Sequence, residues 1–211
     1  MTILRVTLKP NLGSNREMQD VLTSWIEWRG GEGDSVALSR SVWGANGQVF
    51  HVVSRHGSIG EADEFRQKLL TEDRHQKMTK DMSGHLSEPA SWELLDVVVQ
   101  ANRSGGPKPY SIRVSMFPNI GQIQEAKSVL EAWVKAAQAD GAQMSLLQQV
   151  WGSSGAMFAV RTAYDSLGEA DERRKSYAGS AQYQEFVSKL APLLAGSASW
   201  EVNEQLASAG M

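Results

Sequence analysis

Apolar residues recur along the chain with two spacings, and blocks of the two spacings alternate. In Ile3–Lys9, Val36–Trp43 and Val49–His56 apolar residues tend to occupy every second position, which is typical of strands with one buried face. Between the first two of these blocks the apolar residues follow the helical period instead; they are Met18, Val21, Leu22, Trp25 and Ile26. The pattern therefore predicts alternating strands and helices.

The same order of blocks occurs twice, because the sequence repeats itself at an offset of 108 positions. Val42-Trp43-Gly44 returns as Val150-Trp151-Gly152, and Gly60-Glu61-Ala62-Asp63-Glu64 returns as Gly168-Glu169-Ala170-Asp171-Glu172. No gap is needed between these matches. Such a repeat predicts that each copy is one folding unit and that the two copies resemble a homodimer fused into one chain.

Each copy is predicted to run β-α-β-β-α-β, which is the ferredoxin-like order. We place the first repeat at residues 1–99, a linker at 100–109 and the second repeat at 110–211. The linker contains Ser104-Gly105-Gly106-Pro107, a composition that favours turns. Within the first repeat, Asn46-Gly47 predicts a hairpin turn between the second and third strands.

Helix starts carry their own signals. Ser14 with Glu17 three residues later has the form of a capping box before the first helix. Ser58 and its counterpart Ser166 stand before the second helix of each copy. We expect all three serines to cap helices.

Two stretches of the second copy resemble a known superfamily. They are Tyr164-Asp165-Ser166-Leu167-Gly168-Glu169-Ala170-Asp171-Glu172-Arg173-Arg174 and Gln182-Tyr183-Gln184-Glu185-Phe186. With the two ferredoxin-like units, they resemble the dimeric α+β barrel superfamily, especially its NIPSNAP and antibiotic-biosynthesis-monooxygenase branches. The resemblance implies an α+β fold in which two four-stranded sheets close a barrel with helices outside, both supplied by this one chain.

Composition narrows the classes of partner. The formal charge of −3 and the pI near 5.8 lack the basic footprint that nucleic-acid binding requires. The chain has no cysteine, which excludes disulfides and zinc–thiolate sites, and we predict no metal site. It has neither an apolar run long enough to cross a membrane nor a secretory signal at its start, so we expect a cytoplasmic protein with no membrane or nucleic-acid partner.

Strand alternation divides the side chains between the helices and the barrel interior. One phase is apolar in both copies and is expected to pack beneath the helices; in the first copy it holds Leu4, Val6, Leu8, Val36, Leu38, Val42, Phe50, Val52 and Leu94. The opposite phase is expected to line the barrel; in the first copy it holds Arg5, Thr7, Ser39, Ser41, Trp43, His51, Val53, Arg55 and Glu93. A polar lining must be wet, internally paired or occupied by a ligand.

The barrel lining supplies the candidate site. The residues predicted to contact a ligand there are Arg5, Trp43, Arg55 and Arg113. A structural alternative stays open, because the first and last strands of such a sheet are neighbours: Arg5 can pair with Glu93, and Arg113 with Glu201. The repeated tryptophans can likewise be packing anchors.

All four histidines fall in the first copy, and His51 is the candidate catalytic residue. Its mid-strand position in the polar phase suits a general base, whereas the second copy has Ala159 there. A hydrogen-bonded histidine without catalytic function is the alternative. We predict no cofactor, but haem stays open, because the tandem-barrel haem enzymes of this superfamily use one histidine in one copy.

Two functions from different classes follow. The first is a monooxygenase- or isomerase-like enzyme that acts on a small aromatic or polyketide-like molecule in the barrel of the first repeat. The second is a non-catalytic small-molecule-binding or assembly protein whose barrel is filled and whose outer surfaces form a homo-oligomer. A hollow space beside His51 would favour the first, and a closed interior with paired charges would favour the second.

Overall fold

The computed structural model describes residues 1–44, 48–102, 106–152 and 155–210, so the predicted Asn46-Gly47 turn and part of the predicted linker lie outside the described residues. The first half of the chain contains β1 (Thr2–Leu8), α1 (Asn15–Gly31), β2 (Val36–Gly44), β3 (Phe50–His56), α2 (Ile59–Thr71), α3 (Asp73–Ser83) and β4 (Ser91–Val99). The second half contains β5 (Tyr110–Met116), α4 (Ile123–Ala139), β6 (Gln143–Trp151), β7 (Phe158–Tyr164), α5 (Leu167–Ala178), α6 (Ala181–Leu190) and β8 (Ser199–Ala209).

The eight strands close into one barrel in the order β1-β3-β2-β8-β5-β7-β6-β4. Each half contributes four consecutive strands, arranged last, first, third, second. The halves join edge to edge, β2 with β8 and β4 with β6, and every neighbouring pair is antiparallel. This confirms the predicted α+β barrel. Within the described ranges no helix has the length and apolar character needed to cross a bilayer.

The apolar phase of the strands packs beneath the helices, as predicted, except at Val42, which lies within the register shift between Ser41 and Trp43 and belongs to no such cluster among the described residues. In the first half Leu4, Leu38 and Phe50 form a buried cluster with Leu22 and Ile26 of α1. The second half has a matching cluster built on α4 and α6. The other side of each strand therefore faces the barrel interior, because successive side chains alternate.

Serine capping is confirmed at two of the three predicted positions. The hydroxyl groups of Ser58 and Ser166 accept hydrogen bonds from the backbone N–H of Glu61 and Glu169, at 3.1 Å in both copies. The side chain of Ser14 makes no such bond, so that prediction is wrong. Its hydroxyl instead lies 3.2 Å from His85 Nδ1, a partner distant in sequence.

Candidate functional site

Four buried charges meet inside the barrel. Arg5 lies 3.2 Å from Glu93, as predicted, and Arg113 lies 3.8 Å from Glu201. The shorter contacts cross between the halves: Arg5 to Glu201 at 2.7 Å and Arg113 to Glu93 at 3.0 Å. Each arginine therefore contacts both glutamates, and the charges compensate one another. The cross contacts require the halves to be closed into one barrel, which strand patterns alone could not show.

His51 belongs to this cluster. Its side chain is almost fully buried, with Nε2 lying 3.0 Å from an Arg5 nitrogen and Nδ1 lying 3.1 Å from the Thr7 hydroxyl. Because arginine can only donate, a neutral ring accepts at Nε2 and donates from Nδ1. Burial, assisted by the Arg5 charge, lowers the pKa of His51 to about 4. The imidazole is therefore neutral at pH 7.

Glu201 is the carboxylate next to this ring, with its Oε1 3.3 Å from His51 Nε2. Burial alone would raise the pKa of Glu201, but the charges of Arg5 and Arg113 hold it well below its ordinary range. Glu201 thus stays ionised, and both nitrogens of His51 are engaged by protein groups. The arrangement resembles the structural alternative more closely than a base poised for substrate. The predicted roles of Arg5, Arg113 and His51 toward a ligand stay predictions.

The remaining predicted residues lie apart from this cluster. Arg55 pairs with Ile3 across the β3–β1 ladder, which puts it on the inward phase near the other end of the barrel. The expectation that Trp43 lines the barrel is wrong. A register shift between Ser41 and Trp43 sets Trp43 opposite Val202, and the residue is 66% exposed. A β-bulge of this kind reverses the alternation, which a count by twos cannot reveal.

A pocket of ligand size lies outside the barrel, between the second-half sheet and helices α4, α5 and α6. It encloses about 430 Å³ and is lined mainly by apolar side chains. Its aromatic members are Trp133, Tyr164, Tyr177, Tyr183, Phe186 and Trp200. Volumes of about 300–1,000 Å³ are typical of pockets for small molecules.

The aromatic wall of this pocket is centred on Trp133. The Phe186 ring stacks on it at 4.6 Å between centroids, and the Tyr177 and Tyr183 rings meet it edge-on at 5.2 and 5.6 Å. Such contacts hold the rings in defined positions. The wall presents flat apolar surfaces of the kind that suit an aromatic ligand.

Two tyrosine hydroxyls give the apolar pocket its polar character. The Tyr177 hydroxyl is buried and makes no hydrogen bond of good geometry among the described residues; its nearest charged neighbour is Arg173, whose guanidinium carbon lies 5.7 Å from the ring centroid. Burial also raises the pKa of Tyr164 to about 12, so its phenol stays protonated at neutral pH. A buried hydroxyl without a partner is costly, and a ligand oxygen would satisfy the one on Tyr177.

Sequence reasoning missed this pocket because it concentrated on the barrel side of the strands. At the equivalent place in the first half, Phe65 and Leu69 of α2 are buried in the core. The 108-residue offset puts Arg173 and Tyr177 at those positions in α5, where Ala170 is the buried residue. Comparing the helix stripes of the two copies would have found the difference.

A histidine-ligated haem does not fit this pocket. No histidine occurs among the described residues that line it. His51 lies in the barrel, and the His75 ring accepts a hydrogen bond from the Trp25 indole at 3.2 Å in the first half. The described part of the chain also contains no cluster of three metal-binding side chains. We therefore derive no chemistry through haem.

Comparison with known proteins shows similarity in structure only. No protein-family model matches the chain, and no curated protein sequence does. A candidate monooxygenase from Fusobacterium nucleatum is 7% identical, with 99% of this chain and 94% of that one aligned and a TM-score of 0.75. An anthrone oxidase-like protein is 14% identical, with 100% and 93% aligned and a TM-score of 0.70.

A third similar structure is a candidate monooxygenase from Lactobacillus acidophilus, which is 10% identical, with 99% and 95% of the two chains aligned and a TM-score of 0.69. These alignments extend over nearly the full length of both partners. The chain therefore has the fold of the dimeric α+β barrel superfamily, as the resemblance in its sequence indicated. Identities this low establish the fold alone.

Proposed function

We propose that the protein binds a small aromatic molecule in the second-half pocket and acts on it as a monooxygenase-like enzyme. The observation that carries the proposal is the aromatic-walled space of about 430 Å³ with the unpartnered Tyr177 hydroxyl inside it. Similar folds in two candidate monooxygenases and an anthrone oxidase-like protein support the reaction class. The pocket replaces the barrel of the first repeat as the proposed binding place.

The contribution of the protein to such a reaction is positioning. The stacked ring of Phe186 and the indole of Trp133 would hold a flat ligand, and the Tyr177 hydroxyl would donate a hydrogen bond to its oxygen. Molecular oxygen is the oxidant by chemical class. When it converts an activated CH₂ group to C=O, one oxygen atom enters the product and the other leaves as water with the two hydrogens. No metal centre is needed to balance this stoichiometry.

The paired charges in the barrel favour a second candidate, a non-catalytic small-molecule-binding protein. Arg5, Arg113, Glu93 and Glu201 compensate one another, and His51 is held neutral between them. An interior closed in this way offers no free base. The two candidates share the pocket and differ in whether oxygen is consumed.

Binding is tested with anthrone as the probe, followed through quenching of intrinsic tryptophan fluorescence, because Trp133 and Trp200 both line the pocket. The double variant Arg173→Phe/Tyr177→Leu introduces the residue types of the first-half counterparts, Phe65 and Leu69, and should fill the second-half pocket. We expect it to bind about tenfold more weakly or worse, in line with lost apolar contacts and one lost hydrogen bond. Thr71→Ala, at the exposed end of α2, is the control.

Oxygen uptake with anthrone then separates the candidates. Uptake by the wild type that falls in the filled variant supports the enzyme. Binding without uptake supports the non-catalytic protein. Equal binding by the wild type and the filled variant would contradict both, because both use this pocket.

We also infer that residues 1–99 and 110–211 are tandem ferredoxin-like repeats joined by the linker 100–109. The identical strand order of the halves and the 108-residue offset support this. A protease site inserted in the linker tests it. After cleavage the fragments should elute together, held by the β2–β8 and β4–β6 edges, and the elution volume also reports any homo-oligomer. Separation of the fragments would count against an intramolecular dimer.

A further inference from the structure

Arg161 is an inward-facing cation of the barrel that the ionic cluster does not use. It lies on β7, opposite Arg113 on β5 and Ser145 on β6. Arg113 faces inward, so Arg161 does too. The 108-residue offset makes Val53 its counterpart in the first half, where no charge occurs.

Arg161 lacks a compensating acid. Within the described ranges it forms no salt bridge or side-chain hydrogen bond, and desolvation lowers its pKa, the direction expected for a cation without a compensating acid. Its neighbour Arg113 already contacts Glu93 and Glu201. Arg161 therefore cannot share those carboxylates without displacing an existing contact.

Arg55 is a second uncompensated cation on the inward phase. It lies on β3, which is opposite β7 in the closed order of strands. In the described part of the chain it too forms no salt bridge or side-chain hydrogen bond. The inward phases thus carry four arginines, Arg5, Arg55, Arg113 and Arg161, against two glutamates, Glu93 and Glu201.

The two unpaired arginines lie on opposite walls of the barrel. Arg161 is the central residue of β7 and pairs with Arg113, the central residue of β5. Arg55 lies one residue before the end of β3 and pairs with Ile3 near the start of β1. By the 108-residue offset its counterpart is Ala163, one inward step beyond Arg161 on β7. The surplus positive charge therefore extends from the middle of the barrel toward the end where β1 and β5 begin.

Solvent reaches both unpaired arginines, because Arg55 and Arg161 are partly exposed. The inward positions beside Arg161 carry the small side chains of Ser111, Ser145 and Ala163. The interior of an eight-stranded barrel has room for side chains or one small molecule.

We propose that this end of the barrel binds a small carboxylate, with Arg161 as its main contact and Arg55 as the second. The planar guanidinium group donates two parallel hydrogen bonds to a carboxylate, which fits an anion of this shape. The site is separate from the second-half pocket. The result of its test does not depend on the proposed function.

Acetate is the probe, and the thermal midpoint of unfolding is the measurement, made with sodium acetate and with sodium chloride at equal ionic strength and pH. We expect acetate to raise the midpoint of the wild type more than chloride does. Arg161→Met should lose that difference, and its acetate affinity should fall about tenfold, the effect of losing a charged hydrogen bond. Arg66→Gln is the control, because Arg66 is exposed and already paired with Asp63 at 2.8 Å.

A structural role is distinguished by the variant without acetate. A charge that is partly withdrawn from water and has no compensating acid opposes folding, so Arg161→Met in chloride should unfold at the same temperature as the wild type or higher. Arg55→Met should weaken acetate binding to a smaller degree. Equal acetate effects in the wild type and Arg161→Met would overturn the proposal, as would no acetate effect in the wild type. Tighter binding of inorganic phosphate than of acetate would contradict the assignment to a carboxylate.

Discussion

The two halves of the chain have the same strand order and the same serine cap at the start of α2 and of α5, yet they differ in the layer between sheet and helices. In the first half Arg29, Phe65 and Leu69 fill that layer. In the second half Ala137 is the counterpart of Arg29, and the layer opens into the pocket beside Tyr177. The strands of both halves close one barrel in the same order, whereas the helix faces leave the aromatic-walled pocket in the second half, and the candidate function lies there.

The barrel interior combines a symmetric cluster of charges with an asymmetric lining. The four paired charges come from matching positions of both halves, and their shorter contacts run between the halves. Around this cluster the two copies differ, with His51 against Ala159, Val53 against Arg161 and Arg55 against Ala163. The ionic cluster is thus shared by both halves, whereas the pocket belongs to one half.

The largest effect is expected at Arg29, which closes the first-half layer. Its buried guanidinium pairs with Asp34 and with Glu72 at 2.7 Å, and it lies 5.2 Å from the Phe65 ring centre. Replacing Arg29 with Met leaves the partly buried Asp34 carboxylate unpaired and, among the described residues, leaves Glu72 only its contact with Lys68 at 3.6 Å. The free energy of unfolding should fall by about 3–5 kcal/mol. Urea unfolding followed by circular dichroism measures it.

Arg74→Met is the control for Arg29. Arg74 is exposed, and its guanidinium carbon lies 4.6 Å from the centroid of the Trp28 ring. The Arg74→Met substitution should lower the free energy of unfolding by less than about 1 kcal/mol. Similar losses in the two variants would show that the first-half layer does not depend on its buried ion pairs.

The second effect is the pH dependence of stability that His51 causes in the first half, where the second half has Ala159. Burial lowers the pKa of His51 from 6.5 to about 4, so between these pH values the unfolded chain binds a proton that the folded chain does not. Stability from this group is fully present above pH 6.5 and is lost as the pH falls toward 4. The loss should approach 3 kcal/mol, about 1.36 per pH unit across the shift.

The test is the pH dependence of unfolding in His51→Gln, which cannot take up that proton. The variant should lose less stability between pH 6.5 and 4 than the wild type does. Burial also lowers the pKa values of His56 and His75, so the difference between the two proteins, and not the slope of either, isolates His51. His85→Gln is the control. Parallel curves for the wild type and His51→Gln would mean that His51 is not held neutral.

The sequence predicted the fold and part of the site, for identifiable physical reasons. Alternation placed Leu4 beneath the helices and Arg5 and His51 in the barrel, because both sides of a regular strand follow from a period of two. It failed at Trp43, where a bulge breaks the period. It also could not give the crossed contact of Arg5 with Glu201, 196 positions away, or the space beside Tyr177, which depends on how far α5 stands from the sheet.

A smaller effect is expected at Tyr177, where the open half contains an unsatisfied hydroxyl. Without ligand, Tyr177→Phe should raise the free energy of unfolding by about 1 kcal/mol, because the buried polar group is removed. Tyr183→Phe is the matched change on the same aromatic wall and should stay within about 0.5 kcal/mol of the wild type. With anthrone present the wild type should be more stable than Tyr177→Phe, because the ligand then pairs with the hydroxyl. A Tyr177→Phe protein less stable than the wild type without ligand would count against an unpartnered hydroxyl.

An effect of the same size is expected at the end of α1, where two adjacent glycines differ from each other and from their counterparts in α4. A Cβ at Gly30 would collide with the Cβ of Ala209 in β8, the strand of the second half that crosses onto α1. A Cβ at Gly31 would meet nothing within 4 Å. Gly30→Ala should therefore lose about 1 kcal/mol through overpacking, whereas Gly31→Ala should gain up to about 1 kcal/mol from helix propensity. At the counterpart of Gly30, the Gln138 side chain donates instead to the Gln100 carbonyl at 2.7 Å, so the close helix–strand approach is specific to the first half.

Chemical denaturation of the two variants side by side measures the contrast. Equal changes in stability would mean that the end of β8 moves away from α1 at no cost, and that the seam between the halves is looser here than at the paired charges.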